Sequence, residues 1–245
     1  MPLKYVVFIL PFFFLACQSE PPVLANRDFS RTEGDCNQAC VEFKLRYPEV
    51  QGGSPALQDS VRRWVENVVR NYSVSTEEEP TKVLSLEEAA NSFIQLWKME
   101  EMAMSYAFEM TDTVLAVTDR YISLRLDIYQ YAGGAHPNSA SELGVFEVKT
   151  GKMIPFSAYI KDQGAILPML DMAYRAEKQE AFEAGFQYDG ETDQIPFPTQ
   201  CAPTPAGVLF HYNTYEIAPY ALGDADIFLT WTDLAAAASQ EGLHP

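Results

Sequence analysis

Few residues of this chain combine a reactive side chain with an informative neighbourhood. His136 lies in "YQYAGGAHPNSAS", residues 129 to 141, directly before Pro137. Glu216 lies in "YEIAPYALG", next to Tyr215 and four residues before Tyr220. An imidazole and a carboxylate within hydrogen-bond reach, directly or through one water, can work as a general-base pair. Hydrolysis of a glycosidic bond by Glu216 and His136 is the chemistry those two residues would support. An architectural reading fits the same residues and is preferred. Gly133 and Gly134 permit positive φ and close backbone approach at a hairpin. His136 then ties the loop to its neighbours or projects toward a ligand. Tyr215 and Tyr220 pack their rings and pin an irregular segment with their hydroxyls, and Glu216 accepts hydrogen bonds from nearby backbone amides.

Other chemistries find no support. No G-x-S-x-G is present to carry a hydrolase serine. H-E-x-x-H is absent, and His136, His211 and His244 have no partner at helical spacing for zinc. "YAGGAHPNS" has glycines but no G-K-[ST], so it is no phosphate loop. No metal and no cofactor is expected. The formal net charge of −17 repels nucleic acid and anionic headgroups and attracts basic partners.

Four cysteines divide into two groups. Cys17 ends "YVVFILPFFFLAC", an apolar run behind Lys4 that suits a secretory signal and is short for a membrane span. "FLAC" resembles a bacterial lipobox, which makes residues 1–16 a signal peptide and Cys17 a lipidation site. That predicts a lipid-anchored, extracytoplasmic protein of the bacterial cell envelope that meets the membrane only through its anchor. Cys36, Cys40 and Cys201 remain, and an odd number leaves one thiol free or paired outside the chain. "CNQAC" suits a local ring, so Cys36–Cys40 is the preferred disulfide, with capture of either by Cys201 as the alternative. No histidine stands near the pair to complete a tetrahedral metal set.

The elements that must position these residues follow from hydrophobic period. Residues 17–35 show no sustained period and read as lipid anchor and tether. "VEFKLRYPEV" alternates as a half-buried strand that Pro48 ends. Ser54 caps a helix carrying Leu57, Val61, Trp64, Val65, Val68 and Tyr72 on one face. Glu77, Glu78 and Glu79 belong to a solvated turn. Ser85 and Glu88 form a capping box for a second helix, with Ala89, Phe93, Leu96 and Trp97 inward. "YAFEM", "TVLAV" and "YISLRLDIYQY" read as successive antiparallel strands, the last with a polar second face that predicts a sheet covered on one side. Residues 162 to 184 carry helical periodicity that Pro168 starts or kinks and Gly185 stops. "VLFHY" and "ADIFLTW" are short strands, and "TDLAAAAS" predicts a brief terminal helix. The sum is an α+β fold, a mainly antiparallel sheet with helices packed on one face and two lobes, 36–110 and 111–245.

"YAGGAH", a strand ending in "TGK", a helix, then "YNTYEIAPYALG" before the final strand: this succession resembles the RsiV-like envelope domain family. "VEFKLRYPEVQGGS" with the Trp64 helix resembles the companion module that precedes it. The resemblance covers nearly everything from Cys40 onward. It implies an extracytoplasmic α+β domain related to the outer part of a lysozyme-sensing anti-sigma factor. Signalling and deacetylation do not carry over, because no sigma-binding region, transmembrane helix or deacetylase domain is present. Binding of a lysozyme-like protein or of peptidoglycan glycan is what the resemblance implies, through Tyr131, Gly133, Gly134, His136, Asn138, Tyr215, Glu216 and Tyr220. A cell-wall glycan hydrolase and a scaffold lipoprotein contacting other envelope proteins are the alternatives.

Overall fold

The structure, a computed structural model, describes residues 21–73, 84–99, 104–188 and 193–235. The signal peptide, Cys17, the Glu77–Glu79 turn and His244 lie outside the described residues. The chain is α+β, with a five-stranded sheet in the order β1-β2-β3-β4-β5 and a three-stranded sheet in the order β6-β7-β8. Strands β1 (Val23–Asp35), β2 (Ala39–Gln51), β3 (Tyr106–Val117), β4 (Tyr121–Tyr131) and β5 (Asn138–Glu147) make the first. Helices α1 (Pro55–Ser73) and α2 (Leu86–Met99) connect β2 to β3, which lie parallel; the other neighbours are antiparallel. After them come α3 (Gln163–Glu177), α4 (Gln179–Glu183), β6 (Gln200–Pro203), β7 (Gly207–Tyr212) and β8 (Ala225–Thr230).

Both first helices begin as the sequence predicts. Ser54 Oγ accepts from the Leu57 N–H, and Ser85 and Glu88 close a reciprocal capping box. Their apolar faces bury Leu57, Val61, Val65, Ala89 and Phe93 against one side of the sheet. There Phe43 of β2 stacks on Phe108 of β3 with centroids 4.8 Å apart, and Phe93 of α2 lies 5.9 Å from both rings.

Several local expectations are corrected. Part of the supposed tether is β1, which pairs with β2 along its whole length; its side chains are mostly polar because it is an edge strand with little core to face. Pro48 does not end β2. Past Leu45 the strand no longer borders β3, so a residue without an N–H is tolerated there. "YAFEM" and "TVLAV" form one strand, β3, whose register shifts between Val114 and Ala116. That strand crosses residue 110, so the first layer runs on to Glu147 and the boundary between lobes falls after β5. Pro168 lies inside α3, which Asp162 caps, and the helical stretch breaks at Lys178 into α3 and α4. Trp231 to Ala235 form turns, with Asp233 Oδ2 accepting from the Thr230 N–H; the rest of the expected terminal helix lies outside the described residues.

One correction concerns the whole layout. The polar side of β4 is open to water only toward its end, where Tyr129 is 40% exposed. Tyr121 is 1% exposed and Ser123 fully buried. The C-terminal lobe covers that face, and Ala116, Tyr121, Leu143 and Val145 join a core with Ile166, Leu170, Tyr174, Phe210 and Trp231. Strands β3, β4 and β5 therefore carry core on both sides, against α1 and α2 on one and the second lobe on the other.

Candidate functional site

Strand β5 is an edge strand, and unpaired edge amides must find partners. Side chains of the second lobe supply them. The Ser141 N–H donates to Asn213 Oδ1 at 2.6 Å, and Asn213 Nδ2 donates to the Ser141 carbonyl at 3.1 Å. Two residues along, the Leu143 N–H donates to Gln200 Oε1 at 2.9 Å. The Asn213 carboxamide pairs with the edge as a neighbouring strand would, whereas Gln200 accepts from the edge and donates through Nε2 to the Glu142 side chain. Along this seam opens a cleft of about 460 Å³, walled by Tyr72 of α1, Gln130 of β4, Asn138 and Glu142 of β5, and the segment from Asn213 to Tyr220.

The sequence-predicted residues gather at its mouth. Gly133 and Gly134 have φ of +84° and +93° in the loop joining β4 to β5, and Tyr131 Oη donates to the Gly134 carbonyl at 3.1 Å. This corner presents His136, whose ring stacks on Tyr220 with centroids 3.9 Å apart. Its Nε2 is 3.3 Å from Tyr215 Oη, and the Tyr215 and Tyr220 rings are 5.8 Å apart. Tyr215 is 55% exposed and is the one described non-glycine residue with positive φ, at +70°. Such strain persists only where the surroundings impose it, and it concentrates at binding and catalytic sites.

Glu216 follows Tyr215, which meets His136, but its own carboxylate is bonded elsewhere. Its Oε1 accepts from Thr199 Oγ1 at 2.8 Å, and its Oε2 accepts from the Asn213 N–H at 2.6 Å. A second carboxylate faces the cleft: Glu142 accepts from Tyr72 Oη at 2.8 Å and from Gln200 Nε2 at 2.9 Å. Burial, with the charge of Glu142 next, pushes the Tyr72 phenol above its ordinary range. Both carboxylates thus spend their oxygens on structural donors, and neither is joined to His136 by a hydrogen bond.

Sequence reasoning overlooked Tyr72, Glu142, Thr199, Gln200 and Asn213. One signal was present: Asn213-x-x-Glu216 has capping-box spacing, and Glu216 does reach back to the Asn213 N–H. Behind the cleft lies a part-buried polar cluster that was also overlooked. His211 of β7, fully buried, meets Asp226 of β8 at 2.7 Å through Nδ1. Arg125 of β4 donates to Asp226, Asp127 and Ser141. Burial alone would raise the Asp226 carboxyl, but the bonds from His211 and Arg125 outweigh it and hold it below its ordinary value.

Two other features complete the inventory. A recess of about 640 Å³ between the end of β2 and α1 is larger than the cleft. Its charged groups are already paired, Arg62 with Asp59 and Glu66 and Glu49 with Arg27, and no aromatic stack borders it, so the smaller cleft is the better candidate. Cys36 and Cys40 are bridged at the β1–β2 turn, and Cys201 is a buried free thiol beside Tyr159. Among the described residues no helix is long and apolar enough to cross a membrane, and no group of three or more His, Cys, Asp or Glu is placed to hold a metal.

Comparison with known proteins divides the chain slightly earlier, inside β5. Residues 35–139 match the family described as Deacetylase PdaC, and residues 145–232 match Protein of unknown function (DUF3298). A stretch similar to the PdaC family therefore precedes one similar to the DUF3298 family. The junction, residues 140–144, falls within β5, the strand on which both halves of the cleft meet. A DUF3298 family protein of Bacteroides fragilis has the same fold, with a TM-score of 0.68 at 16% identity over 89% of this chain and 94% of that one. A DUF3298 family protein of Pseudomonas aeruginosa gives 0.65 at 17% identity, over 92% and 96%. No curated protein matches the chain.

Proposed function

We propose that this chain is a non-catalytic lipoprotein of the bacterial envelope, anchored through Cys17, whose PdaC–DUF3298 cleft binds peptidoglycan glycan. The observation that carries this reading is the His136–Tyr220–Tyr215 aromatic cluster at the mouth of a cleft lined by Asn138, Gln200, Glu142 and Glu216. Sugars offer apolar ring faces that pack on aromatic planes, and hydroxyl and amide edges that exchange hydrogen bonds with carboxylates and carboxamides. The strained, exposed Tyr215 supports a binding role, since a tyrosine placed only for packing gains nothing from an unfavourable φ. The engagement of Glu216 by Thr199 and Asn213 argues against its serving as a free general base beside His136.

The test is co-sedimentation of the chain lacking residues 1–16 with purified insoluble peptidoglycan. Retention is expected, reduced at least tenfold by Tyr220→Ala and by Tyr215→Gly while the melting temperature holds. Absence of retention by the unaltered chain overturns the reading. A second reading, a lysozyme-like protein as ligand, draws support from the net charge of −17 and from a groove beside the cleft lined by Glu109, Asp127 and Asp224. Such a field would speed the approach of a basic partner. Capture of a c-type lysozyme at low salt, weakened by added salt and by Asp224→Lys, would favour it.

A further inference from the structure

The hydrogen bonds around Asn213 determine where its amide oxygen points. The Ser141 N–H can only donate and the Ser141 carbonyl can only accept. Asn213 meets the first with Oδ1 at 2.6 Å and the second with Nδ2 at 3.1 Å. Turning the amide over would oppose donor to donor and acceptor to acceptor. Oδ1 is therefore fixed as an acceptor, and it also lies 3.1 Å from His211 Nε2. On the other side of the same ring, Nδ1 lies 2.7 Å from the Asp226 carboxylate. Both ring nitrogens face acceptors, so both bonds form only if both nitrogens carry a proton.

We infer that His211 is held as a buried imidazolium, and that its Nε2 proton closes the joint between the two lobes. The charges around it balance. Asp226 of β8 accepts from His211 Nδ1 and from Arg125 Nη1 at 2.6 Å, and Asp127 of β4 accepts from Arg125 Nε at 2.5 Å and from Ser141 Oγ at 2.7 Å. Two cations thus face two carboxylates, contributed by both sheets. The next carboxylates outward are Asp224, which lines the neighbouring groove with Asp127, and Glu216, which accepts from the Asn213 N–H. Neither contacts the ring through a hydrogen bond, and the facing residue of β5, Ser141, is neutral.

The joint is consequently proton-dependent. When the ring gives its Nε2 proton to water, a lone pair faces Asn213 Oδ1 with no hydrogen between them. An uncompensated buried acceptor pair is costly in a low-dielectric site. Asn213 Oδ1 is then driven away from the ring, and because the same oxygen accepts from the Ser141 N–H, its hold on the edge of β5 weakens.

Nitrogen NMR on a His136→Gln, His244→Gln chain, in which His211 is the sole histidine, reads the ring directly. At pH 7 both ring nitrogens should show protonated shifts; one nitrogen at the unprotonated position overturns the inference. Amide exchange at Ser141 reads the joint. Its protection, corrected for intrinsic exchange, should fall at least tenfold across the pH range in which the Nε2 proton is lost, while that of Ile122 in the sheet interior holds. Unchanged Ser141 protection across that titration also overturns it. Asn213→Asp keeps acceptors on both sides of the ring and should retain its double protonation, whereas a neutral ring in that variant would contradict it.

Discussion

Cys201 shows how burial decides reactivity at a single residue. Burial pushes its thiol up to about 11, the bond with Tyr159 offsetting only part of this, and the side chain is 6% exposed. Nucleophilic attack needs thiolate and access, and the folded chain offers neither. A disulfide reagent at pH 8 should therefore leave Cys201 unmodified for hours in buffer and react within minutes in denaturant; rapid labelling of the native protein would contradict this. Sequence allowed Cys201 to capture Cys36 or Cys40, and only tertiary distance removes that option. His136 and Glu216 illustrate the converse. Their types and their glycine and tyrosine neighbours singled out two segments that the fold brings to one cleft, but hydrogen-bond partners, not residue identity, separate a working base from a tied carboxylate.

At the scale of elements, period and capping chemistry were legible because they depend on neighbours three or four residues away. Ser54 and the Ser85–Glu88 box predicted both helix starts, and Leu57, Val61 and Phe93 predicted the buried faces. Edge strands were not legible. β1 lacks alternation since neither of its faces meets a continuous core, so its strand identity comes from thirteen paired positions on β2. The junction of the helices with the sheet rests on Phe43, which is fully buried against Phe108 and Phe93. Phe43→Ala removes that ring from a closed core and should cost about 3–5 kcal/mol in chemical denaturation. A loss below about 1 kcal/mol would mean that the α1–α2 layer is not seated on the sheet as described.

For the whole molecule, the decisive feature is the shared sheet. Because β3, β4 and β5 contribute side chains to the cores on both of their faces, the lobes should unfold together. Calorimetry should give one transition, and a chain ending at residue 150 should aggregate, as it would expose Leu143 and Val145 together with Arg125. Two resolved transitions would refute the shared core. The interlobe cluster adds a pH dependence. Asp226 has a carboxyl below its ordinary value in the folded state, so its contribution is complete above the usual carboxylate range and is lost as pH falls through the lowered folded value. Asp226→Asn should lower the melting temperature at pH 7 and narrow the gap to the unaltered protein at pH 3. The effect should be smaller than for a fully enclosed pair, because its side chain remains 44% exposed.

Local order, the turn at Gly133–Gly134, the helix caps and the α+β class were determined by the sequence by itself, since each arises from interactions between residues close along the chain. What covers the polar side of β4 was decided only by the tertiary structure. Tyr121, Ser123, Arg125 and Asp127 carry the alternation of a solvent-facing strand, and water or a complementary polar surface would satisfy them equally well. A lobe that begins beyond β5 supplies Asp226 to Arg125 and Asn213 to the adjacent Ser141, and it encloses Tyr121 Oη and Ser123 Oγ without a hydrogen-bond partner among the described residues. The cleft exists because those groups are distant in the chain and adjacent in space.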